Sequence, residues 1–281
     1  MYPYESNLYL KQVALNVADM QKALLFYRDV LGMTLLEESK EHVLLGTQEE
    51  PLVELFHASD TTPVKASYGL YHMAILLPSR QDLSDILKRI IELKIPMVGG
   101  ADHGYSEALY LEDFEGNGIE LYRDKPVLDW DIREDGRIVG VTEELDGESL
   151  YQNAQLLDPY HLPAGSRMGH VHLQVKDSKI SRQFYQDVLL LEDKFSVATG
   201  SWLAQGNYHH HLAVNEWAGK QQLNRTPNML GLAYYLIQVP DKETLLHHFK
   251  NAQTRGASVS WIHSNLMAIR DAQGIETRVG I

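Results

Sequence analysis

Apolar and polar positions alternate in short runs along the chain, as in V-A-L-N-V (13–17) and V-H-L-Q-V (171–175). Period-two runs of this kind predict half-buried strands. After each of these two runs the period lengthens to that of a helix. Asp19 and Asp177 stand in the N-cap position, and Leu25, Tyr27 and Val30 fall on the apolar side of the first helix. Three more short β-runs follow. In the second such unit they are P-M-V-G-G, S-E-A-L-Y-L-E-D and G-I-E-L-Y-R-D, with Glu115-Gly116-Asn117-Gly118 turning the last hairpin. The unit predicted by the pattern is βαβββ. Phe26-Tyr27 and Phe184-Tyr185 read as core packing at helical spacing.

The unit recurs. Residues 12–33 (QVALNVADMQKALLFYRDVLGM) align without a gap on residues 170–191 (HVHLQVKDSKISRQFYQDVLLL), at a constant offset of 158. Asp19 falls on Asp177, Phe26-Tyr27 on Phe184-Tyr185, and Asp29-Val30-Leu31 on Asp187-Val188-Leu189. A second pair, H-M-A-I-L-L-P (72–78) and Y-Y-L-I-Q-V-P (234–240), is weaker, and G-I-E recurs at 118–120 and 274–276. Internal similarity at this level predicts duplication. The expected fold is α+β, with four βαβββ modules in two tandem domains. Residues 1–124 form the first domain and 167–281 the second, joined by a partly ordered connector at 125–166.

Composition narrows the partner. With 38 acidic against 25 basic residues the net charge is −13, and no basic run offers the footprint that nucleic acid requires. The N-terminal residues MYPYESNLYLKQ lack the basic flank and apolar stretch of a signal peptide, and no long apolar window is present, so no membrane contact is expected. Cysteine is absent, which removes disulfides, thiolate metal sites and a cysteine nucleophile, and fits a reducing, cytoplasmic setting. The expected partner is a small-molecule substrate; a second copy of the chain, in a homodimer, is left open.

The runs V-A-D-M-Q-K-A-L-L-F-Y-R-D-V-L-G-M and E-G-N-G-I-E-L-Y resemble the vicinal oxygen chelate superfamily. That superfamily includes glyoxalase I, extradiol ring-cleaving dioxygenases and bleomycin-resistance proteins. L-Y-H-M-A-I-L-L-P, M-G-H-V-H-L-Q-V and Y-H-H-H-L-A-V-N-E-W resemble one subgroup, the catechol 2,3-dioxygenase-like CatE proteins of bacteria. The resemblance implies that modules pair into a cup-shaped sheet around a divalent metal, with ligands from the first and last strand of each module. One scaffold of this kind hosts several chemistries.

Counting back five residues from the last apolar residue of each first strand gives Gln12, His72, His170 and Tyr234. The last strands offer Glu54, Glu120, His211 and Glu276. His72, Glu120 and His170, with His211 as a fourth, make a set of imidazoles and a carboxylate suited to Fe(II), Mn(II), Ni(II) or Zn(II). That set requires the second and third modules to meet across the connector. Pairing of the first and second modules gives the alternative set Gln12, Glu54, His72 and Glu120, which resembles the glyoxalase I ligands. Gln12 and Glu54 read equally as remnants of a duplicated site, and Glu276 as vestigial or as a surface strand residue. The run His209-His210-His211 must point to both faces of a strand, so at least one of the three is not a ligand.

Three functions follow as expectations. The leading one is extradiol-type cleavage of a catechol-like molecule by an Fe(II) enzyme, with His172 or His209 managing protons. The second is a glyoxalase I-like metal-dependent lyase or isomerase with Glu54 or Glu120 as base. The third is a bleomycin-resistance-like protein that binds a small molecule without catalysis.

Overall fold

Residues 4–281 are described by a computed structural model of the chain. The first module consists of β1 (Tyr9–Val17), α1 (Met20–Leu24), β2 (Thr34–Glu38), β3 (His42–Gly46) and β4 (Pro51–His57). Helix α1 continues as a π-helical turn over Leu25–Val30. The second is β5 (Gly69–Leu76), α2 (Arg80–Glu92), β6 (Met97–Asp102), β7 (Ser106–Glu112) and β8 (Gly118–Asp124). In the connector lie β9 (Asp131–Ile132), β10 (Ile138–Val139), β11 (Glu143–Glu144) and α3 (Gly147–Asn153). The third module is β12 (Arg167–Gln174), α4 (Ser178–Leu189), β13 (Glu192–Val197), β14 (Gly200–Ala204) and β15 (Leu212–Asn215). The fourth is β16 (Gly231–Gln238), α5 (Lys242–Thr254), β17 (Ser258–His263), β18 (Leu266–Arg270) and β19 (Glu276–Gly280).

Both expected N-caps form. Asp19 accepts from the Lys22 amide at 3.1 Å, and Asp177 from those of Lys179 and Ile180 at 3.1 and 3.0 Å, which satisfies donors that a helix start leaves open. In every module the first strand runs parallel to the last, and the other two fold back antiparallel outside it.

The four modules form two sheets. One has the order β17-β18-β19-β16-β1-β4-β3-β2, and the other β11-β6-β7-β8-β5-β12-β15-β14-β13. Each sheet is closed at its centre by an antiparallel pair of first strands, β1 on β16 and β5 on β12. The first module therefore shares a sheet with the fourth, and the second with the third. Each sheet takes one module from each half of the sequence repeat, so neither 1–124 nor 167–281 closes a sheet of its own.

Two matching hydrogen bonds tie each half together. Tyr27 in the first helix donates to Asp113 at 2.9 Å, and Tyr185 in α4 donates to Asp271 at 3.1 Å. Both pairs are separated in sequence by the same interval, and they repeat at the offset of 158. The connector is ordered against the second module. Its β11 extends the sheet beside β6, while Arg80 and Gln81 of α2 donate to Ser149 and to the Asn153 carbonyl in α3. One continuous apolar cluster, including Phe26, Tyr27, Ile86, Val171, Tyr185 and Val279, runs through both sheets and the helices.

Candidate metal centre

Alternation along β5, β8 and β12 sends Met73, Ile75, Ile119, Leu121, Val171 and Leu173 into the core and leaves His72, Glu120 and His170 on the opposite, concave face. Their ligand atoms lie within 4.8 Å of one another, and all three residues are buried. Glu120 Oε2 is 3.0 Å from His72 Nε2 and 3.1 Å from His170 Nε2. Burial alone would raise the Glu120 carboxyl, but His170 and His72 hold it well below the usual range. Burial also lowers His170 to about 4, against the pull of Glu120. Two imidazoles and a carboxylate are the donor set expected to hold a divalent ion of the Fe, Mn, Ni or Zn type. It is the one such group among the described residues.

Strand register decides the fourth position. Glu120 in β8 is level with Ala74, two residues beyond His72. The residue level with His172, two beyond His170, is Ala213. The fourth position of this cup is therefore an alanine, and His211 stands two residues short of it. Two residues along a strand are roughly 6–7 Å. His211 instead packs against Tyr4 and Tyr208, with ring centroids 5.6 and 5.2 Å away. It is not a member of the ligand group.

The same count corrects Glu276. In the other sheet Ala14 is level with Glu54 and Leu236 with Arg278. The turn closed by the Asp113 amide on the Asn117 carbonyl recurs between Asp271 and Ile275, again at the offset of 158. Glu120 thus corresponds to Arg278, and the recurring G-I-E is out of register by two.

Gln12, Glu54, Tyr234 and Arg278 accordingly occupy the second cup. Gln12 Nε2 donates to Glu54 at 2.8 Å, Tyr234 donates to the same carboxylate, and His42 is bonded to its other oxygen. The Arg278 guanidinium lies 3.5 Å from the Tyr234 ring centroid and donates to Glu276, which also pairs with Arg270. A fixed cation and its partners fill this cup. Gln12 and Glu54 are in a different sheet from His72 and Glu120, so the alternative ligand set is divided between the two cups.

Comparisons with known proteins bear on the family and the fold. The model of the Glyoxalase/Bleomycin resistance protein/Dioxygenase superfamily matches residues 9–121. A protein of Bacillus subtilis named catechol-2,3-dioxygenase is 35% identical over 236 residues, which is 82% of each chain. The chain belongs to this superfamily. Among solved structures, a putative dioxygenase from Bacillus subtilis superposes with a TM-score of 0.67 at 11% identity, covering 97% of this chain and 84% of its own. Glyoxalase I from Zea mays gives 0.56 at 16% identity, covering 97% and 92%. At those identities the two structures bear on the fold alone.

The superfamily cup holding His72, Glu120 and His170 opens into a cavity of about 630 Å³. His172 lines it, buried, with Nε2 3.0 Å from Asn215 Nδ2. Burial and the neighbouring His72 and His170 push His172 well below the ordinary imidazole value. His209 does not line the cavity. It stacks on Tyr105 and bonds to Asp124 at 2.9 Å through Nε2 and to His210 at 2.7 Å through Nδ1. His210 is the member of the histidine run that faces the cavity, its ring centroid 4.0 Å from that of His170. Burial pushes it down strongly, with His170 and His209 adding to the effect.

Sequence reasoning also missed Tyr110 and His103. Tyr110 lines the cavity and its hydroxyl is 2.6 Å from His103 Nε2, while His103 Nδ1 is 2.8 Å from the Val141 carbonyl. A carbonyl only accepts, so Nδ1 carries the proton and, in the neutral ring, the Tyr110 hydroxyl donates to Nε2. Connector residues Gly140, Val141 and Thr142 complete this wall, and no pattern in that segment signalled it. Among the described residues no helix is long and apolar enough to cross a membrane.

Proposed function

We propose that this protein is an extradiol-type ring-cleaving dioxygenase that acts on a catechol-like small molecule. The observation that carries the reading is the ligand arrangement: two imidazoles and one carboxylate converge, and alanine stands where a fourth ligand would. Three protein ligands on one face leave positions open for both oxygens of a catechol and for O2. His72, Glu120 and His170 would hold the ion. When bound, Fe(II) supplies redox coupling between a catechol and oxygen and lowers the pKa of the coordinated hydroxyls.

The chain's own residues supply the rest. His210, neutral and facing the cavity beside His170, is the group suited to take a catechol proton. His172, also neutral, borders the same space next to His72, with ring centroids 4.9 Å apart. The Tyr110 hydroxyl, tied to His103 and within hydrogen-bonding reach of Glu120, lines the opposite wall. His172, His210 and Glu120 are themselves buried, and low exposure to water strengthens their polar contacts.

The relative named catechol-2,3-dioxygenase supports this reading at the level of reaction type. The lyase alternative loses its second carboxylate, since Glu54 lies in the other cup. The test is oxygen uptake over a panel of catechols. Fe(II)-loaded protein is expected to consume O2 and form a yellow ring-opened product, whereas Zn(II)-loaded protein should do neither, because Zn(II) has no redox chemistry. Turnover of a hemithioacetal with Ni(II) and no oxygen would replace this reading with the lyase. Failure to retain any divalent metal would leave the binding-protein function.

A further inference from the structure

We infer that the substrate is a catechol whose substituent is uncharged and apolar and long enough to reach the cavity mouth. This rests on the ring-cleaving reading and names the substrate class of that site. The first ground is size. At about 630 Å³ the cavity is in the roughly 300–1,000 Å³ range of sites for drug-sized ligands, and a single ring with two hydroxyls fills only the part beside the metal ligands.

The second ground is what lines the remainder. From His72 an aromatic wall runs outward through His172, Tyr71 and Trp217, with successive ring centroids 4.9, 5.0 and 5.3 Å apart. A branch continues from His172 to Trp202 and Phe195 at 5.9 and 5.3 Å. The Trp217 indole N–H is taken by Thr199 at 3.1 Å, so the ring offers its faces rather than a donor. Trp217 is 50% exposed, and Val98 and Val197 on the two lips of the cup are 68% and 45% exposed. Apolar surface left in water at a cavity mouth gains when a ligand covers it.

The third ground is charge. Among the described residues no lysine or arginine lines the cavity. Its carboxylates are the ligand Glu120 and, near the rim, Glu112, whose partner Lys65 is outside the lining. With its hydroxyls on the metal, a carboxylated catechol would carry its negative charge into the rest of the cavity, where no lysine or arginine lines the wall to receive it, which costs binding. A glutathione conjugate, with two carboxylates, meets the same obstacle.

The experiment measures binding rather than turnover, so that it does not depend on the reaction. Zn(II)-loaded protein is titrated, without oxygen, with catechol, 3-phenylcatechol and 3,4-dihydroxybenzoate, following tryptophan fluorescence and heat. The expected order is 3-phenylcatechol at least 10-fold tighter than catechol, and 3,4-dihydroxybenzoate weaker than both. Trp217→Ala should reduce the preference for the phenyl compound several-fold, and Trp217→Arg should shift preference toward the carboxylate. Phe195→Ala serves as the second variant if changes at Trp217 impair folding. Equal or tighter binding of the carboxylate, or a phenyl preference unchanged in both alanine variants, overturns the inference and leaves the ring-cleaving reading standing. Binding of none of the three overturns both.

Discussion

The Nδ1 atoms of His209 and His210 lie 2.7 Å apart, so one ring donates and the other accepts. Asp124, 2.9 Å from the far nitrogen of His209, sets the direction. A carboxylate only accepts, so His209 carries its proton on Nε2. With both rings neutral, His209 then accepts at Nδ1, His210 donates there, and Nε2 of His210 presents a lone pair to the cavity. Asp124→Asn puts an amide donor in reach of His209 and reverses the whole chain. The expected result is a fall in turnover of about 100-fold, a typical scale for losing general base help, with metal content and KM little changed. Turnover within two-fold of wild type would show that His210 needs no such orientation.

The two cups are expected to respond differently to loss of their carboxylates. Glu120→Ala and His72→Ala should abolish retention of divalent metal in elemental analysis while the protein remains folded. Glu54→Ala should leave metal content unchanged. It should lower stability by about 1–3 kcal/mol in denaturant unfolding, because Gln12, Tyr234 and His42 lose their common partner. Metal loss in the Glu54 variant alone would assign the ion to the wrong cup here.

Tyr27 and Tyr185 clamp the helix of one module to the last turn of the next. Replacing either with Phe keeps the ring in the core and removes one hydrogen bond; Asp271 Oδ2 loses its donor, whereas Asp113 Oδ2 keeps the Asn117 side-chain amide at 2.8 Å. Each change should cost about 1–2 kcal/mol. The two sites share no partner, so the double variant should show the sum within about 0.5 kcal/mol. Thermal unfolding of the three variants measures this, and a neutral effect at both positions would remove the clamps from the account of stability.

His211 predicts acid sensitivity. Burial, aided by His209 and His170, pushes it down to about 3, and its Nε2 has no hydrogen-bond partner among the described residues. The unfolded chain titrates near 6.5. Between those values the unfolded state binds a proton that the folded state does not, so stability is lost as pH falls through that window, by about 1.4 kcal/mol per unit from this residue. His211→Phe suits the site between Tyr4 and Tyr208 and should flatten the curve of stability against pH below 6.5. An unchanged slope would contradict the assignment.

The four modules and the residues of the His72, Glu120 and His170 cluster were legible because alternation, caps and the 158 offset are local properties. Three features were not. Module pairing depends on β1 meeting β16 and β5 meeting β12, and all four first strands carry the same pattern, so nothing local selects the partner. The fourth ligand positions were misread by two residues at His211 and Glu276. Identity at G-I-E outweighed the turn that sets the register, and the chain bends at His211 before β15 begins. His210 was passed over for His209 because alternation says that three adjacent histidines face different ways and leaves open which way each one turns. The contribution of Gly140, Val141 and Thr142 arises from where the connector is pinned by β11 and α3.

The crossed pairing of modules has a temporal side. As the chain leaves a ribosome, every strand of the sheet that carries His72, Glu120 and His170 has been made once Asn215 emerges. The first module is in a different position. Although it is translated before all the others, β1 has no neighbour on one side until β16 follows, so its open edge must wait through most of synthesis. The part of the chain that is born first is the last to find its partner.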